Sequence, residues 1–182
     1  MDQISMNMMK TVVDKYGLSD KTVVDVGSYD INGTYKSLFT GEYTGVDILA
    51  GPNVDVLMGS PEWEKIKNVD AVISGQTLEH VADIPGLMTQ IMRVLKPGGI
   101  VCIIVPSRGP RHDYPIWVGN FEPEQLEKII TDAGFELLGT DSDYTLPWYL
   151  VSCVGKKAEV AQPVKKVEEK KISAKRKDDN ED

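Results

Sequence analysis

The chain reads as an α/β domain on a doubly wound, mostly parallel sheet. Three observations predict this. Short β-branched runs alternate with segments of helical spacing over the first 155 residues. The run Ile100 to Val105 (IVCIIV) is apolar on both faces, as suits a strand covered by helices on both sides. Glycine-containing turns punctuate the alternation, with Gly27 closing the first strand and Lys96-Pro97-Gly98-Gly99 closing a helix.

The elements follow in order. Ile4 to Tyr16 spaces Ile4, Met8, Met9, Val12, Val13 and Tyr16 on one helical face, and its methionines suit packing. Thr22 to Val26 (TVVDV) predicts the first strand, and Gly33 to Phe39 a short helix. Tyr43 to Asp47 and Val54 to Met58 predict the second and third strands. Pro61 to Ile66 predicts a short helix with Pro in its first turn. Val69 to Ser74 predicts the fourth strand, and Ile84 to Leu95 a helix with Ile84, Leu87, Met88, Ile91, Met92 and Leu95 in register. After the fifth strand, Glu122 to Ala133 predicts a helix stopped by Gly134. Phe135 to Thr140 and Tyr149 to Gly155 make seven strands in all.

From Lys156 the composition changes. This segment holds nine Lys and Arg and seven Asp and Glu with no aromatic residue, so residues 156–182 are expected to be a disordered tail behind a domain of residues 1–155. The chain has 182 residues and a formal charge of -8, and the domain without the tail carries about -10. That acidity argues against a surface that tracks phosphate backbones, so nucleic acid is not an expected partner. The Lys-rich tail is read as solvated, with an acidic protein partner as the alternative. Cys102 and Cys153 lie far apart in apolar runs, which predicts neither a disulfide framework nor a zinc cluster and suits a cytoplasmic setting. The longest apolar run falls far short of the ~20 residues of a membrane helix, and no signal peptide is expected.

In such a sheet, ligands bind at the carboxyl ends of the strands where the order switches. The loop after the first strand is Asp25-Val26-Gly27-Ser28-Tyr29-Asp30-Ile31-Asn32-Gly33. Gly27 permits close approach of a ligand to the backbone, with a plain tight turn as the competing reading. Asp47 ends the next strand, where a carboxylate can accept hydrogen bonds from both hydroxyls of a ribose. A dinucleotide site needs further glycines for its pyrophosphate, yet Tyr29 stands two residues after Gly27. S-adenosylmethionine has the ribose without phosphate and carries positive charge, which suits a loop with Asp25 and Asp30.

VVDVGSYDINGTY, YTGVDI, DAVISGQTLEHV and MRVLKPGGIVCIIVP together resemble the motifs of class I S-adenosylmethionine-dependent methyltransferases, more narrowly the type 11 group. The resemblance covers roughly Thr22 to Gly155. It implies a seven-stranded Rossmann-like sheet with an antiparallel last strand, and S-adenosyl-L-methionine as cofactor. It places Asp25, Gly27 and Ser28 at the methionine end, Asp47 on the ribose, and Ile48, Met58 and Gly59 along the adenine. Ser74, Gly75 and Gln76 would face the sulfonium and the substrate. The link from Asp47 to Val54 is too short for the family's usual helix, so a trimmed domain is expected.

The acceptor side is read from Ser107 to Asn120 (SRGPRHDYPIWVGN), a long loop at the same sheet edge. Arg108 and Arg111 could hold a carboxylate or phosphate, with Tyr114 and Trp117 as walls. His112, beside Asp113, is the first candidate base for a hydroxyl acceptor and His80 the second, although a supporting role is favoured for Glu79-His80. No cluster has metal-ligand spacing, so no metal is expected. The reading is an enzyme that transfers a methyl group to a small molecule, on oxygen. The alternative is a catalytically silent module of the same fold that binds a protein partner.

Overall fold

The computed structural model describes residues 3–111, 116–146 and 148–159. His112, Tyr114 and the tail beyond Glu159 therefore lie outside the described residues. Seven strands form one sheet: β1 (Val23–Val26), β2 (Tyr43–Asp47), β3 (Val56–Leu57), β4 (Val69–Gly75), β5 (Leu95–Arg108), β6 (Glu136–Asp143) and β7 (Tyr149–Lys156). Their order is β3-β2-β1-β4-β5-β7-β6. The first five pair in parallel, and β7 runs antiparallel to both β5 and β6. This is the doubly wound architecture expected, with its last strand reversed.

The helices are α1 (Gln3–Tyr16), α2 (Pro61–Lys65), α3 (Ile84–Val94) and α4 (Pro123–Asp132). α1 buries Met8, Met9, Val12 and Val13 in a cluster with Ile73, Cys102 and Ile104 on one sheet face. Trp63 of α2, Met88 and Ile91 of α3, and Leu126 and Ile130 of α4 fill the other face. β5 is thus buried from Val101 to Val105 on both sides, which accounts for its unbroken apolar run.

Several boundaries differ from expectation, each for a local reason. The helix expected over Gly33 to Phe39 is a single 3-10 turn at Tyr35–Leu38, opened by Thr34, whose hydroxyl accepts the Lys36 N–H at 2.8 Å. β3 holds two residues instead of five. The Val54 N–H donates to Gly51 O in a turn, and the Asp55 carboxylate, rather than a strand carbonyl, accepts the Gly45 N–H at 2.8 Å. No helix forms between β2 and β3, as the short link requires. β5 begins at Leu95, not Ile100, because the Pro97-Gly98-Gly99 turn bulges within the ladder to β4 and is tied to Lys157 backbone on its other side.

Strand pairing also shows at which rim β6 and β7 are joined. Tyr149 and Leu150 pair with Arg108 and Pro106 at the carboxyl end of β5. The β6–β7 connection is therefore at the carboxyl rim, the same rim as the loop after β1. β7 runs one residue past the expected domain boundary. Lys157 then folds back, its ammonium donating to the carbonyls of Met92 and Leu95 at 2.7 and 2.6 Å, where the end of α3 lacks internal partners.

Candidate cofactor and acceptor site

β1 lies between β2 and β4, so chain connections leave it in opposite directions and a crevice opens above its carboxyl end. A cleft of about 910 Å³ occupies this place. Its floor is made by the ends of β1, β2 and β4, and one wall by the segment that leads into α3.

Gly27 turns the chain at the end of β1 with φ of 81°. A Cβ there would sit 2.0 Å from the Thr77 hydroxyl oxygen, so this glycine is required by a neighbouring side chain as well as by its own backbone. The N–H groups of Gly27 and Ser28 donate to Val46 O at 2.8 and 3.2 Å. Both amides that a pyrophosphate would seek are thereby engaged in extending the β1–β2 pairing.

The loop after Gly27 is held by the turn that replaces the missing helix. The Ser28 hydroxyl donates to Asn53 O, and the Asn53 amide donates back to Ser28 O, each at 3.0 Å. Asp30 N–H donates to Pro52 O at 3.0 Å. The Tyr29 ring lies on Gly51, where a Cβ would meet it at 2.1 Å. None of these partners was legible as such in the sequence, because a contact 25 residues distant has no periodic signature.

Asp25 is buried beneath this loop. The Tyr43 hydroxyl donates to its carboxylate, and the Asn53 amide donates to the Tyr43 oxygen at 3.0 Å. Burial pushes the Asp25 carboxyl up to about 7, the Tyr43 bond opposes the rise, and the charge of Asp47 adds to it. Asp47 ends β2 with one carboxylate oxygen accepting the Tyr29 N–H at 3.2 Å and the other the Leu49 N–H at 3.0 Å. Those two amides fix the carboxylate against the cleft with lone pairs remaining on both oxygens.

At the end of β4, the buried Ser74 hydroxyl donates to Val26 O at 2.9 Å, bracing β1 rather than lining the cleft. Gly75 passes over the Tyr35 ring, and a Cβ would fall 2.0 Å from that phenol oxygen. Gln76 takes φ of 58°, and its side-chain nitrogen is buried with no hydrogen-bond partner among the described residues. Leu78–His80 form a 3-10 turn. Glu79 is fully buried with neither carboxylate oxygen hydrogen-bonded, and burial pushes its carboxyl up to about 8. His80 Nδ1 lies 2.6 Å from Ile116 O, and its ring meets Trp117 edge-on with centroids 6.1 Å apart. A carbonyl only accepts, so Nδ1 donates, and Nε2 lies 3.9 Å from the buried Glu79 carboxyl.

The cleft therefore gathers Asp25, Gly27, Ser28 and Asp47 from the first two strands, Ile48 and Met58 beside them, and Gly75, Gln76 and His80 from β4 onward. Gly59 and Ser74 do not line it, and neither do Arg108, Arg111 or Trp117. Arg108 sets its guanidinium 6.0 Å from the Tyr149 ring centroid, over β7. Thr77 and Ile116 line the cleft without having been singled out in the sequence, the first because a threonine after a strand carries no distinctive pattern. Among the described residues no helix is long and apolar enough to cross a membrane, and no three His, Cys, Asp or Glu side chains are placed to hold a metal.

The donor set fits an adenosyl sulfonium compound: a fixed carboxylate for a diol, apolar Ile48 and Met58 beside it, and acidic charge lining the cleft. Comparison with known proteins points the same way. Residues 25–103 match the family model described as a methyltransferase domain. A probable S-adenosylmethionine-dependent methyltransferase of Mycolicibacterium smegmatis is 29% identical over 97 residues, which cover 49% of this chain and 38% of that protein. The chain thus spans well under half the length of this curated relative. The fold is shared with the 1,6-didemethyltoxoflavin-N1-methyltransferase of Burkholderia thailandensis, solved with S-adenosylhomocysteine, at a TM-score of 0.67 and 18% identity over 87% of this chain and 80% of that one. It is also shared with a putative methyltransferase of Haloferax volcanii solved in complex with the activator Trm112, at a TM-score of 0.61 and 18% identity over 87% and 92% of the two chains. Motifs, cleft and family match agree: residues 25–103 are similar to the methyltransferase domain, and the fold is that of the solved methyltransferases.

Proposed function

We propose that the protein binds S-adenosylmethionine in the cleft and transfers its methyl group to a hydroxyl oxygen of a small molecule. The observation that carries this reading is the Asp47 carboxylate, fixed by two amides at the end of β2 and opening onto the cleft beside Gly27. Asp47 would take the ribose hydroxyls, Ile48 and Met58 would flank the adenine, and Asp25 and Ser28 would lie toward the amino-acid end. Asp25 has a carboxyl near 7, so a cation brought beside it favours its ionised form. The cofactor supplies an activated methyl group and its own leaving group. The chain's part is then to align the acceptor oxygen, exclude water and take a proton.

Among the described residues lining the cleft His80 is the imidazole given that proton-accepting role, with Nε2 3.9 Å from the buried Glu79 carboxyl and Nδ1 bonded to Ile116 O. The same bond holds the loop after β5 at the mouth of the cleft. His112, outside the described residues, remains the base proposed from sequence, and His112→Ala should lower turnover while cofactor affinity stays. The Lys-rich tail, residues 156–182, would serve an acidic protein partner.

Calorimetry with S-adenosylhomocysteine, followed by methyl transfer from labelled S-adenosylmethionine across a metabolite panel, tests the reading. Uptake and label transfer support it. Absence of uptake favours the silent, partner-binding module.

A further inference from the structure

We infer that the acceptor is an uncharged, largely apolar hydroxyl compound, and that the cleft turns away carboxylates and phosphates. The inference rests on the methyltransferase reading and adds the chemistry of the substrate. At about 910 Å³ the cleft lies near the top of the range for a single drug-sized ligand, so there is room for a second small molecule beside the cofactor.

Beyond Gly27 and Gln76 the lining includes an aliphatic group, Ile31 from the loop after β1, Val81 and Leu87 on the way into and along α3, and Ile116 from the loop after β5, interspersed with uncharged Asn32, Thr34, Thr77 and Gln90. Ile31 is 73% exposed and Ile116 is 42% exposed. Branched aliphatic side chains bared around one opening mark a surface that gains by being covered with apolar matter.

The charges point the same way. Among the described residues, the acidic side chains lining the cleft are Asp25, Asp47 and Asp83, and no Lys or Arg lines it. Asp83 is fixed in place, because its carboxylate accepts the Gly86 N–H at 2.9 Å and caps α3. The arginines that the sequence offered for an anion are elsewhere: Arg108 lies over Tyr149 of β7, and Arg111 is exposed outside the lining. An acid entering the cleft would lose its hydration and meet the carboxylates of Asp47 and Asp83 in return. A neutral hydroxyl compound meets the aliphatic walls, with His80 within the same lining for its proton.

The test uses the full chain loaded with S-adenosylhomocysteine and three matched probes at pH 7: 2-naphthol, 2-naphthoate and 2-naphthyl phosphate. Calorimetry should show 2-naphthol binding at least tenfold more tightly than either anion. The variant Ile31→Lys changes an exposed position and should weaken 2-naphthol several-fold while narrowing its advantage over the anions. An anion that binds as tightly as 2-naphthol overturns the inference, as does failure of all three probes to bind, or unchanged selectivity in Ile31→Lys. If the loaded complex forms and an anion is preferred, this inference alone fails. If S-adenosylhomocysteine is not taken up, the methyltransferase reading falls and this inference with it.

Discussion

Gly27→Ala is the substitution whose cost the structure dictates most directly. With φ of 81°, Gly27 occupies the left-handed region, where an added Cβ costs about 1–2 kcal/mol. The same Cβ would lie 2.0 Å from Thr77 Oγ1, 2.5 Å from its Cγ2 and 2.7 Å from its Cβ, and forcing such overlap costs a further ~1–3 kcal/mol. The single variant should therefore lose about 2–5 kcal/mol, a large part of the ~5–15 kcal/mol that holds a typical domain folded. Thr77→Gly removes all three clashing atoms. By itself it gives up hydroxyl bonds to Gly75 O at 3.2 Å and Val26 O at 3.4 Å, about 1 kcal/mol, and a similar amount for added backbone freedom. The double variant should then recover 1–3 kcal/mol relative to the sum of the singles, read by urea denaturation with tryptophan fluorescence. Costs that add within ~0.5 kcal/mol would refute the packing argument. Calorimetry with S-adenosylhomocysteine on the double variant separates two demands on this glycine. Restored stability without restored binding means that the ligand, too, needs the bare turn.

Three further outcomes are expected. Asp47→Ala removes the fixed carboxylate and the acceptor of the Tyr29 and Leu49 amides, so S-adenosylhomocysteine affinity should fall by about a hundredfold, ~3 kcal/mol, in calorimetry. Burial raises Asp25 from 3.8 to about 7 and Glu79 from 4.5 to about 8, so between these limits the folded protein binds more protons than the unfolded chain and loses stability as pH rises. Each group contributes roughly 4 kcal/mol across its window, and Glu79→Gln should flatten denaturation curves between pH 5 and 9 by about that amount, whereas a pH profile parallel to that of the parent chain would exclude Glu79 as its source. Lys157→Ala should cost about 1 kcal/mol of stability by uncapping Met92 O and Leu95 O, with no change in S-adenosylhomocysteine affinity.

What could be read in the sequence was what repeats or alternates. The β-branched runs and the spacing of Leu87, Met88 and Ile91 fixed most elements to within a residue or two, since burial on one or both faces imposes those periods. Asp47 was legible as the end of the second strand, because the run Tyr43 to Asp47 stops there. β3 was overestimated because the alternating VDVLM run is strand-like, while the Val54 N–H closes a turn onto Gly51 O and the Gly45 N–H goes to the Asp55 side chain, leaving the Asp55 N–H to Gly45 O as a lone ladder bond ahead of Val56. The arginines were harder still. Arg108 sits at the correct sheet edge, yet the register of β5 with β7 directs it toward Tyr149, and register between distant strands leaves no local trace. The pairings Ser28–Asn53, Gly27–Thr77 and Tyr43–Asp25 are likewise products of topology.

Those pairings explain how a loop with few glycines is nonetheless shaped for a ligand. With Tyr29 and Ile31 between Gly27 and Gly33, the loop is held in place by external contacts. The short β2–β3 link supplies them: without room for a helix, its turn lies against the loop, exchanges two hydrogen bonds with Ser28 and seats the Tyr29 ring on Gly51. Asn53 reaches that position with φ of 64°, a conformation asparagine tolerates better than most residues, and from it also steadies the Tyr43 hydroxyl above Asp25. The short β2–β3 link and the glycine-poor first loop are therefore one structural unit, in which a turn supports the residues beneath the cleft.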